Sequence, residues 1–319
     1  MKRVLLLSML MAAALASAVR ADQYPSRPIT IVVPLTGGTT VDVVARIYGE
    51  AVSKRLGQPV VILNRPGAGG MIAAQSVATA APDGYTIQMA NSGHVISGLM
   101  TRNLSFDAVA DFAGVGMVGE APALVVVSPK LGVKNLQDFV ALAKAKPGAM
   151  NYGSGGVGSA THLAGAVFLA RAGIDMVHIP YKVSSELLSD MVTGRVEASF
   201  VPTAFVLSLL RDDRLQALAV AATEPQIDPF PAPTARSAGV DYLYSTWYGF
   251  LAPAKTPPDV LDKLAEAFGA AAGDPEVQAK VRAQGITPKV KTRAAFDAHI
   301  REDTKTLTPV IQGIARDTR

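Results

Sequence analysis

The chain has 319 residues, 49% of them apolar, with 30 Lys and Arg against 26 Asp and Glu and no cysteine. That length suffices for two ordinary α/β cores, since single domains usually run to roughly 100–200 residues. The missing cysteine excludes disulfides, a thiol nucleophile and cysteine-ligated metal.

Met1, Lys2 and Arg3 form a short basic start, and an apolar run broken only by Ser8 extends from Val4 to about Leu15. Small residues follow at Ala16, Ser17 and Ala18. This is the pattern of a secretory signal peptide, with cleavage expected after Ala18 or Ala21 and Ala21 preferred because the first strand begins soon afterwards. The run falls short of the roughly 20 residues that span a bilayer, so a soluble, periplasmic mature protein is expected. Removing residues 1–21 takes away Lys2, Arg3 and Arg20 and no acid, leaving 27 bases against 26 acids. A nearly neutral surface without Lys/Arg runs offers no footprint for nucleic acid.

In chain order, 29–34 (ITIVVP) is a β-branched run expected as a buried strand. The loop LTGGTT leads into a helix from Val41, with Val44, Ile47, Tyr48, Ala51 and Leu56 at helical spacing. Thr39 or Thr40 is its expected cap, and Asp42 stands in its first turn. A strand at 60–63, the loop NRPGAGG, a small-residue helix over 71–81 and a strand YTIQMA follow, the last running into the loop Asn91, Ser92, Gly93, His94. Alternating strands and helices with short glycine-bearing connections predict an α/β fold with a largely parallel sheet.

After 123–127 (ALVVV) the pattern restarts. A helix over 136–146, a strand near 150–152, the loop GSGGVGSAT, a helix over 162–172, the strand MVHIPY and a helix over 185–192 make a second unit like the first. Further strands are expected at VEASFV and LQALAVAA, and 246–253 (TWYGFLAP) reads as an extended aromatic strand. ALVVV and WYGFLA are read as the two crossings between lobes, and 258–319 as helices packing back on the first. The expected division is 1–21 leader, 22–122 plus 250–319 lobe one, and 123–249 lobe two.

LTGGTT and GSGGVGSAT each lie between the carboxyl end of a strand and a helix start, where backbone N–H groups and the helix dipole favour an anion. Hydroxyls at Thr39, Thr40, Ser154 and Ser159 can add hydrogen bonds. Each loop is also readable as a plain capped turn; two matching loops in two lobes point to a shared site. Gly153, Gly155 and Gly158 match the dinucleotide spacing GxGxxG, but the acid that should end the next strand is absent, since Tyr181 stands there. No serine sits in a GxSxG elbow and no loop carries GK[ST]. His94, His162, His178 and His299 show no metal-ligand spacing, so neither metal nor cofactor is expected. His94 and His162 sit at loop-to-helix junctions on the predicted cleft side. Trp247 is readable as hinge packing or as an aromatic wall for the ligand.

The stretches YPSRPITIVVP, LGQPVVILNRPGAGG, APDGYTI, GSG…GSATHLAG, HIPYK and WYGFLAPAKTPP run in order through nearly the whole mature chain. In them the chain resembles the substrate-binding proteins of tripartite tricarboxylate transporters, the Bug family. The resemblance implies a type II periplasmic binding protein: two α/β lobes joined by two crossing strands, closing on a ligand like a Venus flytrap. It implies a small carboxylate ligand, membrane permease subunits as partners, a monomer, and no catalysis; a sensor module for a membrane kinase, or a periplasmic enzyme, are the alternatives. Carried over by position, Gly37, Gly38, Thr39, Thr40 and Asp42 fall on the first binding loop, with Leu35 and Thr36 leading into it. Asn91, Ser92, Gly93 and His94 fall on the third-strand loop, and Gly155, Ser159, Ala160, Thr161 and His162 on the loop of lobe two. Where the family usually reads PFPPGG this chain has PLTGGT, PYKG becomes PYKV at Val183, and Val201 follows Phe200 where an acid or amide is common. These departures predict a cleft suited to a less polar or aromatic carboxylate, with Val201 among its contacts.

Overall fold

A computed structural model describes residues 24–317 except 102, 158, 182 and 226–230, and the side chains of 184 and 313–317 are likewise outside the description. The expected leader, its cleavage site and Gly158 of the GxGxxG spacing all fall outside the described residues.

Three parallel strands open the fold: β1 (Ile29–Val33) lies between β2 (Val60–Asn64) and β3 (Thr86–Asn91). Helix α1 (Thr40–Leu56) lays Val44, Tyr48 and Val52 on them, and Gly49 lets it approach Ile31 and Ile62. Short helices α2 (Met71–Ala78) and α3 (Gly93–Met100) follow β2 and β3. The strand β4 (Phe112–Val127) then runs through both halves of the molecule. Its residues up to Pro122 pair antiparallel with β9 (Ser245–Pro253), while Ala123 to Val127 pair with β7 (Ala198–Pro202). The second half is built of α4 (Leu136–Ala145), β5 (Asn151–Ser154), α5 (Ala160–Ala172), β6 (Val177–Pro180), α6 (Ser184–Thr193), β7, α7 (Thr203–Arg211) and β8 (Gln216–Val220). In it β5 pairs parallel with β6 and β7, and β8 pairs antiparallel with β4. Helices α8 (Pro258–Ala272) and α9 (Pro275–Arg282), strand β10 (Thr287–Lys291) and helix α10 (Arg293–Asp317) complete the chain.

The strand order is β2-β1-β3-β9-β4-β7-β5-β6, with β8 and β10 attached to β4. The parallel flanks match the expectation; the centre does not, because β9, β4, β10, β7 and β8 meet antiparallel. β4 and β9 are far apart in the chain, so no single strand–helix–strand unit fixes their relative direction and antiparallel pairing is open to them. ALVVV lies wholly in the second sheet and WYGFLA wholly in the first. The return crossing sits just before β9, where Tyr244 accepts from the Ala123 N–H at 3.0 Å and donates to the Ala221 carbonyl at 3.2 Å.

The first half of β4, helices α3 and α7, and β10 are not among the elements expected from the sequence. Gly114, Gly116 and Gly119 dilute the strand signal of β4, yet they have a packing reason. Phe296 of α10 is fully buried on this seam, where a Cβ at Gly249 would lie 2.5 Å from its ring and 2.8 Å from the Gly116 carbonyl. Trp247 is fully buried, edge-on to Phe296 at 5.1 Å, and donates its indole N–H to Asp303 of α10 at 2.6 Å. It is therefore packing at the crossing and not a wall for ligand.

Two glycines with opposite surroundings test this account. Gly249→Ala has no room at the seam and should cost about 1–3 kcal/mol, whereas Gly269→Ala, in α8 with nothing near its added methyl, should gain about 0.5–1 kcal/mol from helix propensity. Urea melts read both; a neutral Gly249→Ala would remove the packing argument.

Candidate functional site

A cleft of about 550 Å³ opens where the halves face each other, within the roughly 300–1,000 Å³ of small-molecule sites. One side is formed by Pro34 and Leu35 after β1, the turn Ala68 to Met71 after β2, and Gln88, Asn91, Gly93, His94, Ser97, Met100 and Thr101 of β3 and α3. The other side is Gly155, Val157, Ser159 and Ala160, between β5 and α5. A larger recess of about 640 Å³ lies among β4, α8, β10 and α10, but only elements of the first half line it.

The first glycine loop is organised inward. Asp42, 2% exposed, accepts from the Gly38 N–H at 2.9 Å, from Arg46 Nε and Nη2 at 2.9 and 3.0 Å, and from Asn64 Nδ2 at 2.9 Å. Asn64 Nδ2 also donates to the Leu35 carbonyl at 2.9 Å. The Arg46 hydrogen bonds, foremost, hold the Asp42 carboxyl at about 2, against the cost of burying it. Asp42 is thus a structural anchor that shapes the loop. Thr36, Gly37, Gly38, Thr39 and Thr40 do not border the cleft, because the loop curls back on its own helix. Thr39 occupies the N-cap position without a capping bond; its hydroxyl donates to the Thr36 carbonyl at 2.9 Å.

The neighbouring loop takes the place expected of the first. Gly67, Ala68, Gly69 and Gly70 all have positive φ, at 129°, 48°, 63° and 95°. A turn of this kind can present backbone N–H groups to an anion, and Ala68, Gly69 and Gly70 border the cleft. The bond from Gly70 N–H to the Gly67 carbonyl at 2.9 Å closes the turn. Ala68 pays for a conformation that L-residues rarely adopt, and strain of this kind collects at functional sites. NRPGAGG was read only as a loop; its glycine density was the available signal.

On the other lobe, Ser159 caps α5 by accepting from the His162 N–H at 3.2 Å, and Thr161 accepts from the Gly155 N–H at 2.9 Å. Ser154 accepts from the Gly156 N–H at 3.1 Å and contacts His178 Nε2 at 2.6 Å. Gly155, Ser159 and Ala160 reach the cleft, while Thr161 and His162 stand behind it. His162 stacks on His178 with centroids 3.8 Å apart. Ser92 is turned away, accepting from the Trp247 N–H at 3.0 Å. Val201 is fully buried beside Leu124, Leu187 and Met191, because inward residues of β7 face the lobe core. Val183 is 49% exposed and does not border the cleft. Of the three departures, only Leu35 touches the site.

His94 donates from Nε2 to the Ala108 carbonyl at 2.7 Å, and burial pulls its imidazole down to about 4. No described cleft residue is therefore charged at neutral pH, and an anion here would meet only dipoles: the turn at Ala68 to Gly70, the amides of Asn91 and Gln88, and the hydroxyls of Ser97, Thr101 and Ser159. Among the described residues no cluster of acids and histidines could hold a metal, and no helix is long and apolar enough to cross a membrane.

Two α/β halves sharing β4, with a dipole-lined cleft between them, define a two-lobed periplasmic binding protein of type II. The model for the tripartite tricarboxylate transporter family receptor matches residues 44–315, so the chain belongs to that family, whose relatives include Bug proteins. BugT of Bordetella pertussis is 35% identical over 284 residues, covering 88% of this chain and 87% of BugT. Rpa4515 of R. palustris, solved with adipate, is 30% identical with a TM-score of 0.78, covering 92% of this chain and 98% of the other. MatC from Rhodopseudomonas palustris, solved with bound malate, is 28% identical with a TM-score of 0.75, covering 90% and 100%.

The buried imidazoles make stability depend on pH. Burial depresses His94 to about 4, and burial followed by the His178 charge depresses His162 to about 4. An unfolded imidazole binds its proton near 6.5, so the unfolded state is favoured progressively as pH falls from about 6.5 to 4. For His94 this should cost on the order of 2 kcal/mol by pH 5, and His162 adds a smaller cost in the same direction. Asp303, which burial raises to about 6, acts in the opposite direction and is common to all variants. His94→Gln should therefore lose less stability between pH 7 and 5 than the wild type; equal losses in urea melts would refute the assignment.

Proposed function

We propose that this periplasmic solute-binding protein captures a small carboxylate between its lobes, makes and breaks no bond, and delivers the cargo to the membrane subunits of a tripartite transporter. The observation that carries this is the positive-φ turn at Ala68 to Gly70 facing Gly155 and Ser159 across an uncharged cleft. A carboxylate bridging both sides gains contacts in the closed form that the open form lacks, which favours closure. Leu35, Met71, Met100 and Val157 give the cleft apolar walls, suited to the carbon skeleton of a dicarboxylic or aromatic acid. Rpa4515 with adipate and MatC with malate support a carboxylate cargo. The change of partner along β4 supports the expected boundary at 122/123, whereas the pairing of all of β9 with β3 and β4 puts the return near 244 in place of the expected 249; the protein acts as a monomer exported by its 1–21 leader.

Purified protein, unfolded and refolded to remove carried-over ligand, is to be screened by thermal shift against mono-, di- and tricarboxylates and aromatic acids. Cargo at about 100 times its Kd should stabilise the fold by about 2.7 kcal/mol; silence from folded protein across the panel would sink the carboxylate reading. Gly70→Ala places an L-residue at φ 95°, with its Cβ 3.0 Å from Pro34. It should cost about 1–2 kcal/mol of stability and weaken binding about tenfold or more. Gly173→Ala, at φ 62° with open space around it, is the strain control and should leave affinity unchanged.

A further inference from the structure

Gln88 stands in β3 with its backbone between β1 and β9, and its side chain, 1% exposed, meets the cleft floor. The orientation of its amide follows from a chain of bonds that starts at Ala108. A carbonyl oxygen only accepts, so His94 Nε2, 2.7 Å from the Ala108 oxygen, carries the ring proton. The neutral ring has one such proton, which leaves a lone pair on Nδ1. Gln88 Nε2 lies 3.4 Å from that Nδ1 and is its donor. Turning the amide over would set the Oε1 lone pairs against that of Nδ1. Gln88 Oε1 is therefore directed away from His94, and there it is buried with no hydrogen-bond partner.

A buried acceptor without a partner is costly and uncommon, and a carboxylate cannot relieve it because it offers no donor. A hydroxyl can. An ammonium would also donate, but the described cleft residues offer no carboxylate to accompany it, and Asp42 is spent on Arg46 and Asn64; a desolvated, unpaired cation is disfavoured.

We propose that Gln88 is the specificity-determining residue of the cleft, selecting carboxylates that also carry a hydroxyl to donate to its Oε1, with His94 as the positioning residue that fixes the amide. The inference rests on the carboxylate-capture reading. Oε1 is shielded in this structure, and as closure presses the cargo onto the floor the Gln88 side chain shifts to meet its hydroxyl, which supplies the missing bond. A site built to pair a hydroxyl discriminates strongly against the analogue that lacks it.

The test is calorimetry on refolded protein with pairs differing by one hydroxyl: malate and succinate, 4-hydroxybenzoate and benzoate. In every pair that binds, the hydroxylated member should bind at least about tenfold more tightly. Gln88→Met, close in volume and without an acceptor, should abolish that preference by weakening the hydroxylated member alone, with an unchanged melting profile showing that the fold persists. His94→Phe, which keeps an aromatic ring against Phe112, should narrow the preference by freeing the amide. Equal or tighter binding of the deoxy members to wild type, or a preference that survives Gln88→Met, overturns the inference while leaving carboxylate capture intact. If neither member of either pair binds but other carboxylates do, hydroxyl selection at Gln88 is likewise overturned; if no carboxylate binds, the capture reading itself fails.

Discussion

Strand β4 is the member on which everything else depends, since its first eleven residues belong to one sheet and its last five to the other. Pairing with β9 along the first stretch, and with β7 and β8 along the second, gives the two halves one continuous backbone in common. The glycines of this seam leave a trough that Phe296 fills, so the terminal helix α10 is seated directly over the crossing. Trp247 ties that helix to the cleft: its indole reaches Asp303, and its backbone N–H reaches the Ser92 hydroxyl beside the cleft-lining Asn91 and Gly93. Through Trp247, hydrogen bonds therefore connect the cleft with the crossing and with helix α10.

The cleft shows how a binding site can be stiff without being charged. Most loop groups that look available in the sequence are already bonded within their own loop: Gly38 to Asp42, Gly155 to Thr161, Gly156 to Ser154. These bonds are made before any ligand arrives, so less ordering remains to be done on binding. The groups that border the cleft are the curled turn at Ala68 to Gly70, a few hydroxyls, and the amide of Gln88. In the proposed reading, an anion held by neutral dipoles avoids the strong, long-lived pairing of a buried ion pair, which suits a protein that must release its cargo.

Legibility varied by element for identifiable reasons. β1, β2, β3 and α1 announce themselves through β-branched runs and helical spacing, and the order of family-like stretches pointed to two lobes and a periplasmic binding fold. The first half of β4 was hidden by the glycines that make its packing possible. Helix α3, with Gly93, Ser97 and Gly98 among its eight residues, resembled a loop. Of the residues expected at the site, Leu35, His94, Gly155, Ser159 and Ala160 border the cleft. Thr36 to Thr40 and Asp42 were placed in it because a glycine loop before a helix is a common anion site, and the local network around Asp42 took that loop elsewhere.

By itself the sequence determined the α/β fold class, through repeated strand, glycine loop and helix units and an apolar share large enough for two cores, while the binding-protein class came from its resemblance to a known family. The repeated units and the apolar share are properties of local pattern and composition, and they survive without coordinates. Only the tertiary structure decided which groups face the cleft. Val201 and Gln88 both sit on strands, yet one is sealed in the second lobe and the other meets the floor of the site. Side chains on a strand alternate between faces, and which face is core and which is cleft depends on the sheet partners and on the helix laid across them, neither of which a single strand specifies.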